Sequence, residues 1–246
     1  MATRIGVLVP AGNPTVEPEL HRMAPGSVTL HFARLDAGEG TPGAPVGMEQ
    51  RLLAYLDSLP AVLPALAAVQ PAVVVLAHTS VSYALGYAHE PALVDRMTRL
   101  AGCPGITASR AILAAFAQLG VGRIALATPY SEAIETLGAV YWKAAGLDVV
   151  AHRRLEGVTN IYDETEARAY ELGRSIDMRE AEALLISGTG LPTAGIIQRL
   201  ENELGKPVVT GQTAALWHAL RVAGVDASVS GYGRLLAGGG SAVPSP

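Results

Sequence analysis

The feature that most constrains this chain is a set of apolar segments that occurs twice in the same order. Each copy starts with the pattern R-I-x-x-x-x-P, continues with an apolar run that ends in a small-residue turn, and closes with a threonine-led segment before a helix. The matched pairs are 4–10 with 123–129, 73–80 with 183–190, and 107–111 with 210–214. Matched elements in one order predict a duplicated α/β unit, although any two α/β stretches share some likeness.

The apolar runs in both copies are typical of strands in a parallel sheet. Such strands are covered on both faces, so they are apolar throughout rather than in alternation. The predicted strands are 4–10, 73–77, 123–129 and 183–187. The predicted helices, which have apolar residues at helical spacing, are 48–66, 109–119 and 213–222. This alternation of strands and helices predicts βαβ units with right-handed crossovers.

These elements predict an α/β protein of two pseudo-symmetric lobes, each built on a parallel sheet of the four-stranded type flanked by helices. We assign residues 1–114 and 211–237 to the first lobe, 115–210 to the second, and 238–246 to a flexible tail. Ligands of open α/β sheets lie beyond the carboxyl ends of the strands, so we expect the active site in the interlobe cleft. The segment 36–47, rich in Gly and Pro, is expected to form a mobile loop over that cleft.

Composition argues against several classes of partner. Half of the 246 residues are hydrophobic and 16% are charged, so the chain can bury a large core. The net charge is −4 and the basic residues are scattered, which argues against nucleic acid. The apolar runs are shorter than the ~20 residues that span a bilayer, and no signal peptide is recognisable, so we expect a cytoplasmic protein. The single cysteine, Cys103, excludes an intrachain disulfide and is expected to be a small, half-buried side chain.

Polar residues follow the first predicted strand directly. Gly12 and Asn13 lie in the loop at its end and are candidates for substrate contact. Thr15 is expected to cap the next helix, with Glu17 and Glu19 in the first turn, where the helix dipole favours acidic residues. This end of the predicted sheet therefore combines one binding candidate with a structural cap.

The densest polar cluster is His78, Thr79 and Ser80, which follows the strand 73–77. Hydroxyl and amide donors at such a place can hold a carboxylate oxygen or cap the local backbone. The ordinary pKa of histidine, about 6.5, suits proton transfer near neutral pH, although a lone histidine is more often structural. The remaining histidines form no metal-ligand spacing, so no metal site is predicted.

The later strand ends contribute Tyr130 and a turn of small residues. Tyr130 follows a proline and can donate to an oxyanion, or else belong to the core or to a lid. Ser187, Gly188, Thr189 and Gly190 form a flexible turn that can present backbone N–H groups. The chain has no phosphate loop, no nucleophile elbow and no dinucleotide fingerprint, so no cofactor is expected.

Taken in order along the chain, these segments resemble the aspartate/glutamate-racemase superfamily, in particular its maleate cis–trans isomerase and arylmalonate decarboxylase branch. The opening I-G-V-L-V-P-A-G-N-P-T-V-E-P-E is similar to the isomerases' V-P-S-S-N-T-T-x-E-x-E. Later matches are L-A-H-T-S, A-T-P-Y, G-K-P-V-V-T and G-Y-G-R-L, so the resemblance covers nearly the whole chain. It implies a cofactor-free enzyme with a small carboxylate as substrate. Members often self-associate, which leaves a homo-oligomer open.

The resemblance also implies roles for individual residues. Thr79, Ser80 and Tyr130 match the dioxyanion hole of the decarboxylases. Asn13 and Asn160 match the asparagines that bind the substrate of the isomerases. The frame that binds the substrate is therefore expected to be present.

The catalytic cysteines of the superfamily are absent at both of their places. His78 occupies the first place, Gly188 the second with Thr189 beside it, and Cys103 matches neither. Racemisation by two cysteines and isomerisation through a cysteine adduct are therefore not expected. We predict that His78, Tyr130 and Thr189 carry the catalysis, while the Ser187–Gly188 turn contributes to substrate binding.

The expected function is that of a cofactor-independent lyase, similar to a decarboxylase, or of an isomerase acting on a small carboxylate. An enediolate or comparable oxyanion would be stabilised in the cleft while His78, in place of a cysteine, moves a proton. Two alternatives remain at this point. One is a hydrolase in which His78 activates water, and the other is a catalytically silent carboxylate-binding protein.

Overall fold

Two parallel sheets organise the part of the chain that the computed structural model describes, residues 2–36 and 47–238. The first sheet has the strand order β2-β1-β3-β4 and the second the order β6-β5-β7-β8. The strands are β1 Thr3–Pro10, β2 Val28–Leu35, β3 Val73–Leu76, β4 Gly105–Thr107, β5 Arg123–Thr128, β6 Asp148–Arg154, β7 Ala183–Ile186 and β8 Val208–Thr210. All neighbouring strands run parallel. The predicted α/β class with two parallel four-stranded sheets is confirmed, and the equal strand order agrees with the duplicated pattern.

Helices connect the strands and cover the sheets. They are α1 Val16–Met23, α2 Met48–Asp57, α3 Leu59–Ala67, α4 Thr79–Leu85, α5 Glu90–Ala101, α6 Ala108–Leu119, α7 Glu132–Ala144, α8 Glu166–Arg174, α9 Ile197–Leu204, α10 Gly211–Val222 and α11 Arg234–Ala237, with a 3₁₀ helix at Ile161–Asp163. Within the described ranges, no helix is both long and apolar enough to cross a membrane.

The prediction of one continuous helix over 48–66 is wrong. Two helices, α2 and α3, replace it, and the chain passes from one to the other at Ser58. Pro60 lies at the start of α3. A continuous helix would need the N–H that proline lacks and would push its ring against the preceding turn, so the leucine periodicity alone overestimated the length.

The central strands explain the continuous apolar runs of the sequence. Every residue of β3 and of β7 is buried, because helices cover both faces of each sheet. Helix α10 packs mainly on α6 and also contacts α1 and β3, beside the first sheet. The exact division of the chain into two lobes remains a prediction. Cys103 is half-buried in the turn before β4.

Candidate active site

The carboxyl ends of β1, β3, β5 and β7 meet around one small cavity of about 30 Å³. Its walls come from both sheets, from α2 and from the 3₁₀ helix. The lining residues are Pro10, Asn13, Met48, Arg51, Leu52, Tyr55, His78, Ser80, Tyr130, Ile161, Tyr162, Thr189 and Gly190. The predicted candidates Asn13, His78, Ser80, Tyr130 and Thr189 are thus brought together.

His78 is the titratable group at the end of β3. It adopts an extended backbone conformation before α4, and its side chain is 8% exposed. The His78 Nδ1 lies 3.2 Å from Ser80 Oγ, and the ring packs at a tilt on Tyr55, 5.1 Å between centroids. Burial lowers the pKa of His78 to about 3, because the charged imidazolium loses its hydration. The imidazole is therefore neutral at neutral pH in the ligand-free protein.

Thr79 and Tyr130 join the two sheets behind the cavity. The Thr79 Oγ1 and Tyr130 Oη are 2.8 Å apart, and both side chains are buried. Burial raises the pKa of Tyr130, so its phenol keeps its proton at neutral pH and can act as a donor. These two hydroxyls and Ser80 form a compact group of donors next to His78.

The end of β7 differs from the end of β3 although it takes the equivalent place in its sheet. Gly188 has φ +113°, in the region that favours glycine, and a Cβ there would lie 2.9 Å from the ring of Pro129. The side chain of Thr189 turns back to the first sheet, where its Oγ1 donates to Ala77 O at 2.8 Å. Ser187 is buried beneath this turn and lies outside the cavity-lining set.

Asn13, rather than the predicted Thr15, caps the start of α1. The Asn13 Oδ1 accepts from the backbone N–H of Thr15 at 2.8 Å and of Val16 at 3.0 Å. The prediction that Thr15 caps the helix is wrong, since its Oγ1 instead donates to Gly190 O at 2.9 Å. The carbonyl of an asparagine reaches the amides two and three residues on, which leaves the threonine hydroxyl for the other sheet.

The start of α1 holds the turn after β7 in place. The Asn13 Nδ2 donates to Thr189 O at 3.3 Å. One turn further, Glu19 Oε1 accepts from the backbone N–H of Thr193 at 2.6 Å and of Ala194 at 2.7 Å. Glu19 is 6% exposed, and its burial raises the pKa of this carboxyl to about 7. The residues after β7 therefore depend on contacts from the first sheet.

Five of the predicted binding residues lie beside or behind the cavity rather than in its wall, namely Gly12, Thr79, Asn160, Ser187 and Gly188. Gly12 is half-buried in the turn after β1. The Asn160 Oδ1 caps the 3₁₀ helix by accepting from Tyr162 N at 3.0 Å. Asn160 thereby positions Ile161 and Tyr162, which do line the cavity.

Helix α2 contributes lining residues that the sequence analysis missed. Met48, Arg51, Leu52 and Tyr55 lie on one face of α2. Their spacing of three and four residues places them on one side of the helix, but the spacing alone does not show which space that side faces. Arg51 is 5% exposed and is the cationic member of the described lining; its charge also acts on the neighbouring Tyr55. Arg51 therefore places a positive charge in the cavity wall, which the sequence pattern did not predict.

The predicted loop over the cleft and the predicted tail cannot be compared with the structure, and a metal site can be assessed only for the described residues. The expected mobile loop, apart from its end residues, and nearly all of the expected flexible tail lie outside the described residues. In the ranges 2–36 and 47–238, no three His, Cys, Asp or Glu side chains are placed to hold a metal ion. The described lining residues offer hydroxyls, an asparagine amide, Arg51 and His78.

Two parallel sheets of equal strand order, with polar side chains around one cavity at their carboxyl ends, agree with the class of enzyme that the sequence resembles, the aspartate/glutamate-racemase superfamily. The chain belongs to the arylmalonate decarboxylase family, whose model matches residues 5–236. Arylmalonate decarboxylase of Bordetella bronchiseptica is 35% identical over 173 residues, which are 67% of this chain and 70% of that protein. Maleate isomerase of Nocardia farcinica is 28% identical over 255 residues, 95% of both chains.

Solved structures agree with this assignment. A liganded variant of arylmalonate decarboxylase is 30% identical with a TM-score of 0.79, covering 96% of this chain and 99% of its own. A maleate isomerase of Pseudomonas putida S16 with maleate shares the fold at 22% identity, with a TM-score of 0.88 over 97% of this chain and 98% of its own. The resemblance to this branch and the expectation of an enzyme are confirmed. The relatives support a lyase or isomerase that acts on a small carboxylate.

Proposed function

We propose that this protein is a cofactor-independent lyase or isomerase that acts at the carbon beside a carboxylate, with His78 in place of the catalytic cysteine. The observation that carries the proposal is the buried cavity in which His78, Ser80 and Tyr130 come together. The curated relatives, a decarboxylase and isomerases, act on acids of this kind by their names.

The cavity offers the groups that a carboxylate needs on leaving water. A buried carboxylate is costly unless it is paired and hydrogen-bonded. Ser80 and Tyr130 provide hydroxyl donors, and Arg51 provides a positive charge in the same wall. The Asn13 Nδ2 has a second N–H beyond the one bonded to Thr189 O, so it can also donate to the substrate.

In the reaction, negative charge moves onto the retained carboxylate. If a carboxyl group leaves as CO₂, the electron pair of the broken C–C bond forms an enediolate. In an isomerase the same species forms when neutral His78 takes the proton from the carbon beside the carboxylate. Ser80, Tyr130 and the Gly188–Thr189 backbone stabilise the two oxygens, while Thr79 holds the Tyr130 hydroxyl from behind. Each well-placed donor contributes about 10²–10³ in rate. His78 then delivers a proton to the carbon and regains one from solvent.

The charge of the substrate prepares His78 for this role. Its imidazole is neutral without ligand because burial lowers its pKa to about 3. A bound anion at short range favours the protonated form and raises that pKa. Binding of the substrate and uptake of a proton by His78 are thus coupled in the proposed cycle.

The outer residues of the site have supporting roles in this proposal. Gly12 shapes the turn that presents Asn13, and Asn160 fixes Ile161 and Tyr162 at the opposite wall. Ser187 supports Thr79 from behind, at 3.4 Å between their hydroxyl oxygens. Thr189 holds the turn after β7 in place through its bond to Ala77 O.

A catalytically silent carboxylate-binding protein is the second candidate. The low pKa of His78 favours it, because a weakly basic, uncharged imidazole transfers protons poorly at neutral pH. Both candidates need the same anion-binding wall. They differ only in turnover.

Ligand-dependent thermal unfolding followed by turnover assays separates these candidates. We expect small carboxylates such as malonate, phenylmalonate and maleate to raise the melting temperature, since a ligand at 100 times its Kd adds about 2.7 kcal/mol. Neutral amides of the same size serve as controls. Release of CO₂ or isomerisation of a stabilising acid supports the enzyme, and stabilisation without turnover supports the silent protein. Equal melting temperatures with acids and amides would contradict both.

A further inference from the structure

A row of buried hydrogen bonds leads from Trp142 to Tyr130 and passes between the two sheets at every step. The Trp142 Nε1 donates to Tyr83 Oη at 3.1 Å, and Tyr83 Oη lies 2.5 Å from Ser187 Oγ. The Ser187 Oγ donates to Thr79 Oγ1 at 3.4 Å, which lies 2.8 Å from Tyr130 Oη. Thr79 and Tyr83 belong to α4 after β3, whereas the other three residues follow β5 or β7.

The first donor fixes the direction of the whole row. An indole N–H can only donate, so Tyr83 Oη is an acceptor there and must place its own proton elsewhere. Burial raises the pKa of Tyr83 far above its ordinary value, which keeps that proton on the phenol. Its short contact is Ser187, which in turn donates to Thr79. Either hydroxyl of the Thr79–Tyr130 pair can be the donor by geometry. Continuing the direction of the Ser187 bond makes Thr79 the donor, which leaves the Tyr130 proton for the cavity side, where Ser80 also lies.

We infer that Tyr83, backed by Trp142, is a positioning residue that orients the Tyr130 hydroxyl as a donor toward the oxyanion. The inference rests on the proposed function, because it gives that oxyanion its donor. A donor already aimed at the developing charge needs no reorganisation during the reaction. Successive bonds of one direction also polarise each other, which strengthens the last donor.

The row of hydrogen bonds forms only when the two units lie close together. Each of the four bonds joins a residue of the first sheet's helix α4 to a residue behind the second sheet. Tyr83 is 3% exposed, and Thr79, Ser187 and Trp142 are 0% exposed, so no water competes for these hydroxyls. The orientation of Tyr130 is therefore set by the packing of one sheet unit on the other.

The substitution Tyr83→Phe tests this role with little change in packing. The ring keeps its contacts with Tyr130, Tyr141 and Trp142, at 6.3, 5.5 and 5.5 Å between centroids. We expect kcat on the acid found by the carboxylate screen to fall about 3- to 10-fold with a smaller change in KM, as for the loss of one hydrogen bond. In a Tyr130→Phe background, Tyr83→Phe should cause no further loss, because its effect passes through the Tyr130 hydroxyl.

A matched control comes from the same aromatic cluster. Tyr141→Phe removes another buried hydroxyl, whose partner is Glu90 Oε2 and not the row that leads to Tyr130. We expect it to lower the melting temperature and to leave kcat unchanged. Equal losses of kcat in Tyr141→Phe and Tyr83→Phe, or additive losses with Tyr130→Phe, would overturn the inference.

Neutron diffraction from exchanged crystals of the wild-type protein tests the direction without any substrate. We expect the deuteron of Thr79 on the side of Tyr130 and that of Tyr130 toward the cavity. A Tyr130 deuteron directed at Thr79 would overturn the inference whatever the activity. A wild-type protein that turns over no acid while showing the expected deuterons would instead refute the proposed function alone.

Discussion

The ends of β3 and β7 take equivalent places in two sheets of equal strand order, yet they present different chemistry to the cavity. After β3 come a histidine and hydroxyls, with His78 and Ser80 in the cavity wall. After β7 comes Gly188, whose backbone conformation and contact with Pro129 leave no room for a side chain. A duplicated frame can therefore keep its strand order while only one of these two equivalent strand ends carries a histidine.

The two turns also differ in what holds them. His78 has a side-chain contact to Ser80 two residues on, within its own turn. The turn after β7 is held from the other sheet by Asn13, Thr15 and Glu19. The turn after β7 is therefore docked on the start of α1, whereas His78 has its side-chain hydrogen bond within its own turn. Substitutions and a pH titration at these two strand ends test whether they differ in this way.

The largest effect is expected from His78→Ala. If the first strand end carries the proton transfer, kcat should fall by about 10²–10⁴, the usual contribution of general acid–base catalysis. Binding of the carboxylate should persist, since Arg51 and Tyr130 remain in the wall. Steady-state kinetics with ligand-dependent melting measures both quantities. His152→Ala, at an exposed histidine bonded to Glu135, is the control, and activity of His78→Ala near that of wild type would remove His78 from the mechanism.

Gly188→Ala should cost most in stability. Alanine is strained at φ +113°, and its Cβ would press on Pro129 at 2.9 Å. We expect the free energy of unfolding to fall by about 2–4 kcal/mol, from backbone strain plus overpacking. Gly157→Ala, at φ +68° with open surroundings, is the matched control and should lose only about 1 kcal/mol.

A cysteine at position 188, the place of the second superfamily cysteine, would meet the same conflict. Gly188→Cys should share the cost of Gly188→Ala, because the conflict arises at Cβ and not at the thiol. Denaturant unfolding compares the three variants. Equal stabilities of Gly188→Ala and Gly157→Ala would mean that the second strand end tolerates a side chain after all.

The stability contributed by His78 at the first end and by Glu19 beside the second should change with pH in opposite directions. The folded-state pKa of His78 is about 3, below its ordinary 6.5, so the stability it contributes above pH 6.5 is lost as the pH falls toward 3. The pKa of Glu19 is raised from 4.5 to about 7, so its contribution is complete below pH 4.5 and is lost as the pH rises through 7. Between these limits each group changes the stability by at most about 1.4 kcal/mol per pH unit.

Unfolding by urea from pH 5 to pH 8 measures these slopes. His78→Gln should reduce the loss of stability toward pH 5, and Glu19→Gln should reduce the loss toward pH 8. Glu166, whose charge also raises the pKa of Glu19, remains in both variants; its interaction with Glu19 is lost in Glu19→Gln and is part of the measured change in slope. Parallel pH profiles for the two variants and wild type would contradict the assignment.

The smallest effect is expected from Thr189→Val. Its hydroxyl donates to Ala77 O, so the substitution should cost about 1 kcal/mol of stability, the net value of one hydrogen bond. If the second strand end is only a docked element, kcat should change less than twofold, whereas Ser80→Ala should lose about 10-fold or more as an oxyanion donor. A larger loss of kcat in Thr189→Val than in Ser80→Ala would return Thr189 to the catalytic role predicted from the sequence.

Much of the frame was predictable because burial on both faces leaves a direct trace in the sequence. Every residue of β3 and β7 is buried, and each segment is continuously apolar. Parallel strands then bring their carboxyl ends to one edge, which placed His78, Ser80, Tyr130 and Thr189 around one cavity. The break between α2 and α3 was missed because leucine spacing continued across it, although Pro60 marked it.

The cavity wall from α2 was less accessible to sequence reasoning. The face of Met48, Arg51 and Tyr55 has the periodicity of any core-facing helix, and nothing local shows which space it faces. For a related reason, the sequence did not show that Asn13 rather than Thr15 caps α1. Both residues can cap a helix, and the choice depends on Gly190 O, which approaches from the other sheet.

The sequence by itself determined the duplicated strands, the family, and the histidine and hydroxyls at the end of β3, because these follow from local pattern and position in the chain. Only the tertiary structure decided the partners of those side chains. Tyr130 bonds to Thr79, 51 residues away, and Tyr83 bonds to Ser187, 104 residues away. Such bonds depend on how the unit built on one sheet packs against the unit built on the other. The periodicities of strands and helices along the chain carry no information about which residues of the two units meet.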